Sequence, residues 1–221
     1  ILVARNEDKL KEVASQIDTQ VTIIPLDLSD KRNCFKLHSM AKNIDILINN
    51  AGFGLWGEFY YSSLRKEMNM IELNVTALHI LTKLYLRDFV KKNRGYILNV
   101  ASLASFASGP LMSTYYATKA YVYKLTTGIN EELRQRKSKV NISVFCPGPI
   151  DTEFNNRANV SFSINQMKAS DAAKRALVGM FLKKTVILPR LTDYLMMFAC
   201  KFAPLRAMLI ACYHIQKGKN Q

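Results

Sequence analysis

The stretch Ile44-Asp45-Ile46-Leu47-Ile48-Asn49-Asn50-Ala51-Gly52 decides the fold. A short apolar run, Ile44 to Ile48, stops on two amides, an alanine and a glycine, small and polar where a backbone could approach a ligand closely. The same figure recurs outward in both directions. Strands are predicted at Ile1 to Ala4, Val21 to Pro25, Tyr96 to Val100, Val140 to Phe145 and Thr185 to Leu188. Helical patterns lie between them near Asp8 to Ile17, Lys31 to Lys42, Leu64 to Lys92, Thr114 to Arg136 and Asp171 to Lys183. Several strands are apolar on consecutive residues, as a sheet covered on both faces requires. The expectation is an α/β single domain: a doubly wound parallel sheet with helices on both faces.

In such a sheet ligands sit at the carboxyl ends of the strands, and there the unusual residues collect. Ala4 is followed by Arg5, and Pro25 by Leu26-Asp27-Leu28-Ser29-Asp30. Val100 leads to Ala101-Ser102, and Phe145 to Cys146-Pro147-Gly148-Pro149-Ile150-Asp151-Thr152. Five polar or small exits on one edge outline one extended cleft.

Composition narrows the class. With 221 residues, 49% hydrophobic and 22% charged, the chain is ordinary globular material, which excludes disordered, collagen-like and coiled-coil readings. The net charge of +14 allows nucleic acid, an anionic membrane surface or a phosphorylated ligand as partner. Eleven Lys and Arg stand against two Asp from Arg157 to Gln221, so most of that excess lies toward the carboxyl end. Cys34, Cys146, Cys200 and Cys212 form no C-x-x-C pair and read as free thiols in a reducing, cytoplasmic compartment. His38, His79 and His214 are too scattered for a metal site. No stretch reaches the roughly 18 apolar residues of a membrane span.

Tyr115 and Lys119 stand four residues apart near the start of a predicted helix and so share a face. A cation there favours tyrosinate and would bring a phenol down from about 10, which makes Tyr115 a credible general acid for a developing alkoxide. Spacing alone does not choose it over Tyr116, three residues from Lys119, and an isolated Tyr-x-x-x-Lys also describes a surface pair on an amphipathic helix.

From Ile1 to about Arg190 the chain resembles the short-chain dehydrogenase/reductase family. The resemblance rests on Asn49-Asn50-Ala51-Gly52, Asn74 in Leu73-Asn74-Val75, Ser102 thirteen residues before Tyr115, Tyr115-Tyr116-Ala117-Thr118-Lys119-Ala120, and Pro147-Gly148-Pro149-Ile150-Asp151-Thr152, in that order. It implies a Rossmann-like sheet and an oxidoreductase using NADP(H) on CH–OH or C=O groups. Tyr115 would then be the proton donor and acceptor, and Ser102 would orient the substrate carbonyl. Lys119 would hold the nicotinamide ribose and lower the pKa of Tyr115, and Asn74 would seat a water in a proton relay. Asp27 would contact the adenine. Leu28, Asn49, Asn50, Ala51, Gly52, Pro147, Gly148, Ile150 and Thr152 would line the remaining cofactor. Arg5 stands where an acid would favour NAD, and a base there suits the extra phosphate of NADP.

One departure goes with it. The family opens with a strand and a glycine-rich turn that binds pyrophosphate, and the first residues here match the family's second strand. The prediction is a polypeptide that begins earlier by roughly one βα unit of about 30 residues, since losing that strand would cut the sheet and expose its neighbours' edges.

The predicted layout is therefore a catalytic domain over residues 1–190, a substrate lid over 153–169 and a basic, apolar helical extension over 191–221. Phe154, Phe162, Ile164, Met167 and the stretch Tyr194 to Cys200 suggest a substrate carbonyl on an apolar body. Oxidation of a 3-hydroxy acid or hydroxy amino acid is the enzymatic alternative, and a non-catalytic basic binding protein on the same fold the alternative from another class. No nucleic-acid partner is expected. The extension could touch a membrane surface weakly, or pack as two helices broken at Pro204. By analogy with the family, the long helices up to and including Tyr115 predict a homodimer or homotetramer.

Overall fold

In the computed structural model, which describes residues 1–152 and 166–218, each apolar run becomes a strand and each exit a turn toward a helix. β1 (Leu2–Ala4) leads to α1 (Glu7–Ala14), where Asn6 caps the helix by accepting from Lys9 N. β2 (Ile23–Pro25) leads to α2 (Lys31–Met40), capped by Asp30 through Arg32 N. Each cap satisfies one of the amide donors that a helix start leaves without a partner. β3 (Ile46–Asn49), α3 (Leu64–Ile71), α4 (Leu78–Lys92), β4 (Tyr96–Val100), α5 (Ser113–Gln135) and β5 (Asn141–Phe145) follow. Then come β6 (Ile150–Asp151), β7 (Met167–Lys168), α6 (Ala169–Phe181), β8 (Val186–Ile187), α7 (Leu191–Phe202) and α8 (Leu205–Lys217).

Every strand pairing is parallel. Ala4 lies beside Pro25, Asn49 beside Asn99, and Val100 beside Phe145, so the exits line up on one edge as the pattern predicts. The ladder is not continuous. Among the described residues β1 pairs only with β2, while β3, β4, β5 and β8 form a separate sheet in that order. Both parts share one core, in which Ile24, Leu37, Leu47, Tyr85, Phe89 and Ile97 are packed together. Each such side chain contributes about 1.5–3 kcal/mol on burial.

The helix predicted as continuous from Leu64 to Lys92 is interrupted. Glu72–Ala77 forms a π-helical turn between α3 and α4, and it carries Asn74. The wider turn accommodates one extra residue, a departure that a 3.6-residue apolar period does not register. α4 ends on Asn93 in the left-handed region, and Gly95 follows at φ 141° against the ring of Phe89.

Pro204 divides the carboxyl-terminal segment into two helices. α7 is a packing helix, its Tyr194 and Met197 lying against a core cluster that includes Ala101, Val122 and Val144. Among the described residues no helix is long and apolar enough to cross a membrane. Most of the predicted lid, with Phe154, Phe162 and Ile164, lies outside the described residues. Met167 corrects the expectation for its own side chain: it is buried with Leu98 and Phe145 rather than offered to a substrate.

Candidate active site

α5 places Tyr115 and Lys119 on the face turned toward β4 and the exit after it. Tyr115 is 8% exposed and Lys119 6%. Ser102 caps a single 3-10 turn, Leu103–Phe106, by accepting from Ala104 N at 3.2 Å, and its hydroxyl stands 3.4 Å from Pro147 O. The Ser102 hydroxyl also hydrogen-bonds the Tyr115 phenol. The two tyrosines that spacing left open differ in their partners: Tyr115 meets Ser102, while the Tyr116 hydroxyl accepts from the amide of Gln216.

The electrostatics differ from the expectation that Lys119 brings the phenol down. Burial pushes Tyr115 up to about 12, opposed by the Ser102 hydrogen bond. Lys119 is itself buried, its pKa lowered to about 8, and its ammonium donates to Val100 O at 2.9 Å while lying 5.9 Å from the Tyr115 ring centroid. Desolvation is the largest cause for both groups.

Asn74 closes the site from the π-helical turn. Its Nδ2 donates to Phe53 O at 2.9 Å and to Thr118 Oγ1 at 3.2 Å, and its Oδ1 accepts from Phe53 N at 3.1 Å. The loop after β3 is therefore clamped to α5 through one amide. Gly52 has no room for a side chain: a Cβ there would stand 2.9 Å from Asn74 Oδ1 and 3.6 Å from Lys119 Nζ. Gly52, Asn74, Lys119, Ser102 and Tyr115 consequently form one constellation.

The predicted cofactor residues divide. Arg5 and Asp27 face each other across the ends of β1 and β2, 3.8 Å apart and both exposed to solvent. Asp27 also accepts from Ser29 N and Oγ, which fixes its turn. Asn50, Ala51 and Thr152 are exposed near their strand exits. Pro147 O holds Leu103 N at 2.9 Å, and a Cβ on Gly148 would lie 3.3 Å from Asp193 Oδ1. Three side chains turn elsewhere. Leu28 is in the core, Ile150 packs toward Leu98 and Phe145, and the Asn49 amide donates to Thr82 Oγ1 and Asn99 Oδ1. Any contact from these three to a ligand falls to the backbone.

Sequence reasoning missed Thr118, which links Asn74 to the backbone of Tyr115, and the buried Asp193 beside Gly148. It also missed Trp56 Nε1 donating to Gln216 O at 2.9 Å. Trp56, Phe53, Leu55, Met70, Met112 and Tyr116 make an apolar wall around Tyr115. Among the described residues a cavity of ≈ 440 Å³ lies between α6 and the β8 exit, and Ser102, Tyr115, Lys119 and Asn74 do not line it. The same residues hold no cluster of three metal-ligating side chains.

Comparison with known proteins agrees with this geometry. The short chain dehydrogenase family matches residues 1–161. An uncharacterized oxidoreductase of Staphylococcus aureus (strain MRSA252) is 28% identical over 197 residues, covering 87% of this chain and 84% of that one. A short-chain dehydrogenase from Sphingobium yanoikuyae, solved in complex with NADPH, superposes with a TM-score of 0.79 at 30% identity over 86% of this chain and 77% of its own. The bulky-bulky ketone specific alcohol dehydrogenase from Comamonas testosteroni gives a TM-score of 0.73 at 30% identity, over 86% and 75%. With the parallel sheet, the ordered strand exits and the matched motif residues in one place, the chain belongs to the short-chain dehydrogenase family of oxidoreductases acting on CH–OH and C=O groups.

Proposed function

We propose that the chain is an NADPH-dependent reductase of a ketone or 3-oxoacyl-type carbonyl on an apolar body. The observation that carries this reading is the Ser102–Tyr115 hydrogen bond, with Tyr115 and Lys119 buried and Gly52 beside Lys119. A dinucleotide fits the residues present: the Gly52 backbone lies bare beside the Lys119 ammonium, and the Arg5 guanidinium is exposed at the β1 exit with only a loose carboxylate partner.

When bound, the dinucleotide supplies the hydride. The chain does the rest. Ser102 and Tyr115 donate to the carbonyl oxygen as negative charge grows there, which stabilises the transition state more than the substrate. Tyr115 then delivers its proton. A phenol at about 12 remains a competent acid toward an alkoxide, which is a stronger base than phenolate. Running as a base, for oxidation of a 3-hydroxy acid, the same phenol would first have to ionise, which burial opposes. Lys119 holds the ribose, and Asn74 keeps the loop after β3 closed and supports a water relay. Arg5 would hold the extra phosphate of NADPH and Asp27 the adenine. The apolar wall from Phe53 to Tyr116 receives the substrate body. Association as a homodimer or homotetramer through α4 and α5 belongs to the same reading.

The test is a screen of carbonyl compounds followed by NADPH absorbance, with NADH in parallel and Tyr115→Phe as control. The expected result is turnover with NADPH, weaker turnover with NADH, and a Tyr115→Phe loss of about 10²–10⁴ in kcat with NADPH binding kept. A clear NADH preference would remove the role of Arg5, and undiminished turnover by Tyr115→Phe would remove that of Tyr115.

A further inference from the structure

α7 is apolar on two faces. Inward, Tyr194 and Met197 pack on the core, and Asp193 is buried. Outward, Leu191, Leu195, Phe198 and Phe202 recur at helical spacing as one straight stripe, 78%, 63%, 52% and 75% exposed. The stripe continues past Pro204 to Leu205, 62% exposed. An amphipathic helix ordinarily turns such a row toward its core, and a contiguous exposed row marks an interaction surface. Its charge is one-sided. From Leu191 to Gly218 the only acid is Asp193, while Lys201, Arg206 and Lys217 are exposed and pair with no carboxylate among the described residues. Lys201 Nζ lies 5.8 Å from the Phe202 ring centroid, at the edge of the stripe.

We propose that this face of α7 and the start of α8 docks on an anionic lipid membrane. The helix lies in the interface plane, with the stripe among the acyl chains and Lys201 and Arg206 against the headgroups. Charge decides between occupants. A two-fold contact between copies sets the same patch against itself, so cations would meet cations with no exposed carboxylate to offset them. Exposure points the same way: these side chains stand out in solvent, and a lipid surface accepts such a row without the preformed pocket that a protein partner's anchors need. The helical pair is also tied to the active-site wall, through Trp56 Nε1 on Gln216 O and the Gln216 amide on the Tyr116 hydroxyl. A docked protein thus holds that wall near the bilayer, which suits a ketone dissolved in lipid; this last clause rests on the reductase reading, and the docking does not.

The experiment is co-sedimentation of the full chain with vesicles of equimolar phosphatidylglycerol and phosphatidylcholine, and with phosphatidylcholine alone, without cofactor or substrate. The expected result is binding about tenfold or more stronger to the anionic vesicles at about 0.1 M salt, falling severalfold at about 1 M, where the Debye length is about 3 Å. Phe198→Ser with Phe202→Ser lowers the partition coefficient about tenfold or more. Lys201→Glu with Arg206→Glu abolishes the preference for phosphatidylglycerol, and both double variants keep the parent's thermal unfolding midpoint. Absence of sedimentation with anionic vesicles at the lower salt overturns the proposal, as does binding that the serines leave unchanged. A lipid-free dimer that the serines dissociate assigns the stripe to a second copy and overturns it equally. A protein that binds vesicles but reduces no ketone upholds the docking and refutes only the reductase reading.

Discussion

Replacing Lys119 by methionine removes a charge that folding has carried out of water, and the structure sets the size and sign of the effect. A lysine whose pKa falls from 10.5 to about 8 is opposed by burial by about 3 kcal/mol, at roughly 1.4 kcal/mol for each factor of ten. The substitution also gives up the hydrogen bond to Val100 O, worth about 1 kcal/mol. Lys119→Met is therefore expected to be about 2 kcal/mol more stable than the parent at neutral pH, raising the midpoint by roughly 4–8 °C for a chain of this size. Below about pH 8 the lysine is protonated whether folded or unfolded, and the full penalty applies. Between about 8 and 10.5 the unfolded chain binds more protons than the folded one, so the parent gains stability as pH rises and the penalty is gone above that range. The variant lacks this gain. Its advantage should shrink steadily through the window, whereas the buried groups Cys34 and Tyr85 titrate in both proteins and cancel in the comparison. Guanidinium denaturation of both proteins at about pH 7 and about pH 9.5 measures the difference directly. A variant less stable than the parent at neutral pH, or a difference indifferent to pH, would refute the buried-charge argument. Turnover should be lost in either case if Lys119 seats the ribose.

Two other substitutions probe the scaffold. Asn74→Leu leaves the backbone of Phe53 without either partner and should cost about 3 kcal/mol, with a midpoint roughly 6–12 °C lower; an unchanged midpoint would mean the loop after β3 needs no clamp. Gly95→Ala would place a methyl 2.4 Å from Phe89 Cγ at φ 141°, so denaturant unfolding should show a loss of about 3 kcal/mol from overpacking and backbone strain together.

The strand exits were legible because each apolar run is short and each stop is abrupt: Tyr96–Val100 matches its predicted bounds, and Asn141–Phe145 differs by one residue. The Ser102, Tyr115 and Lys119 assembly was legible through order and spacing. What escaped was orientation. Ile46-Leu47-Ile48-Asn49 is apolar on both sides until its last residue, so nothing in it announces that the Asn49 amide turns into the core toward Thr82 and Asn99. The π-helical turn at Glu72–Ala77 keeps an apolar pattern close enough to helical to pass for it. The acidity of Tyr115 was misjudged because a neighbouring cation is visible in sequence and the loss of water around both groups is not. Trp56 and Gln216 meet across 160 residues, a contact with no local signature.

The shared edge of the strand exits has a further consequence. Arg5 and Asp27 stand exposed at the β1 and β2 exits, while Lys119 is buried against the β4 exit. A ligand that bridged Arg5 and Lys119 would bind only the folded arrangement of these exits. It would slow hydrogen exchange there more than in the middle of β4 or β5, and the specificity for one cofactor phosphate would be felt first as local order at the β1 exit.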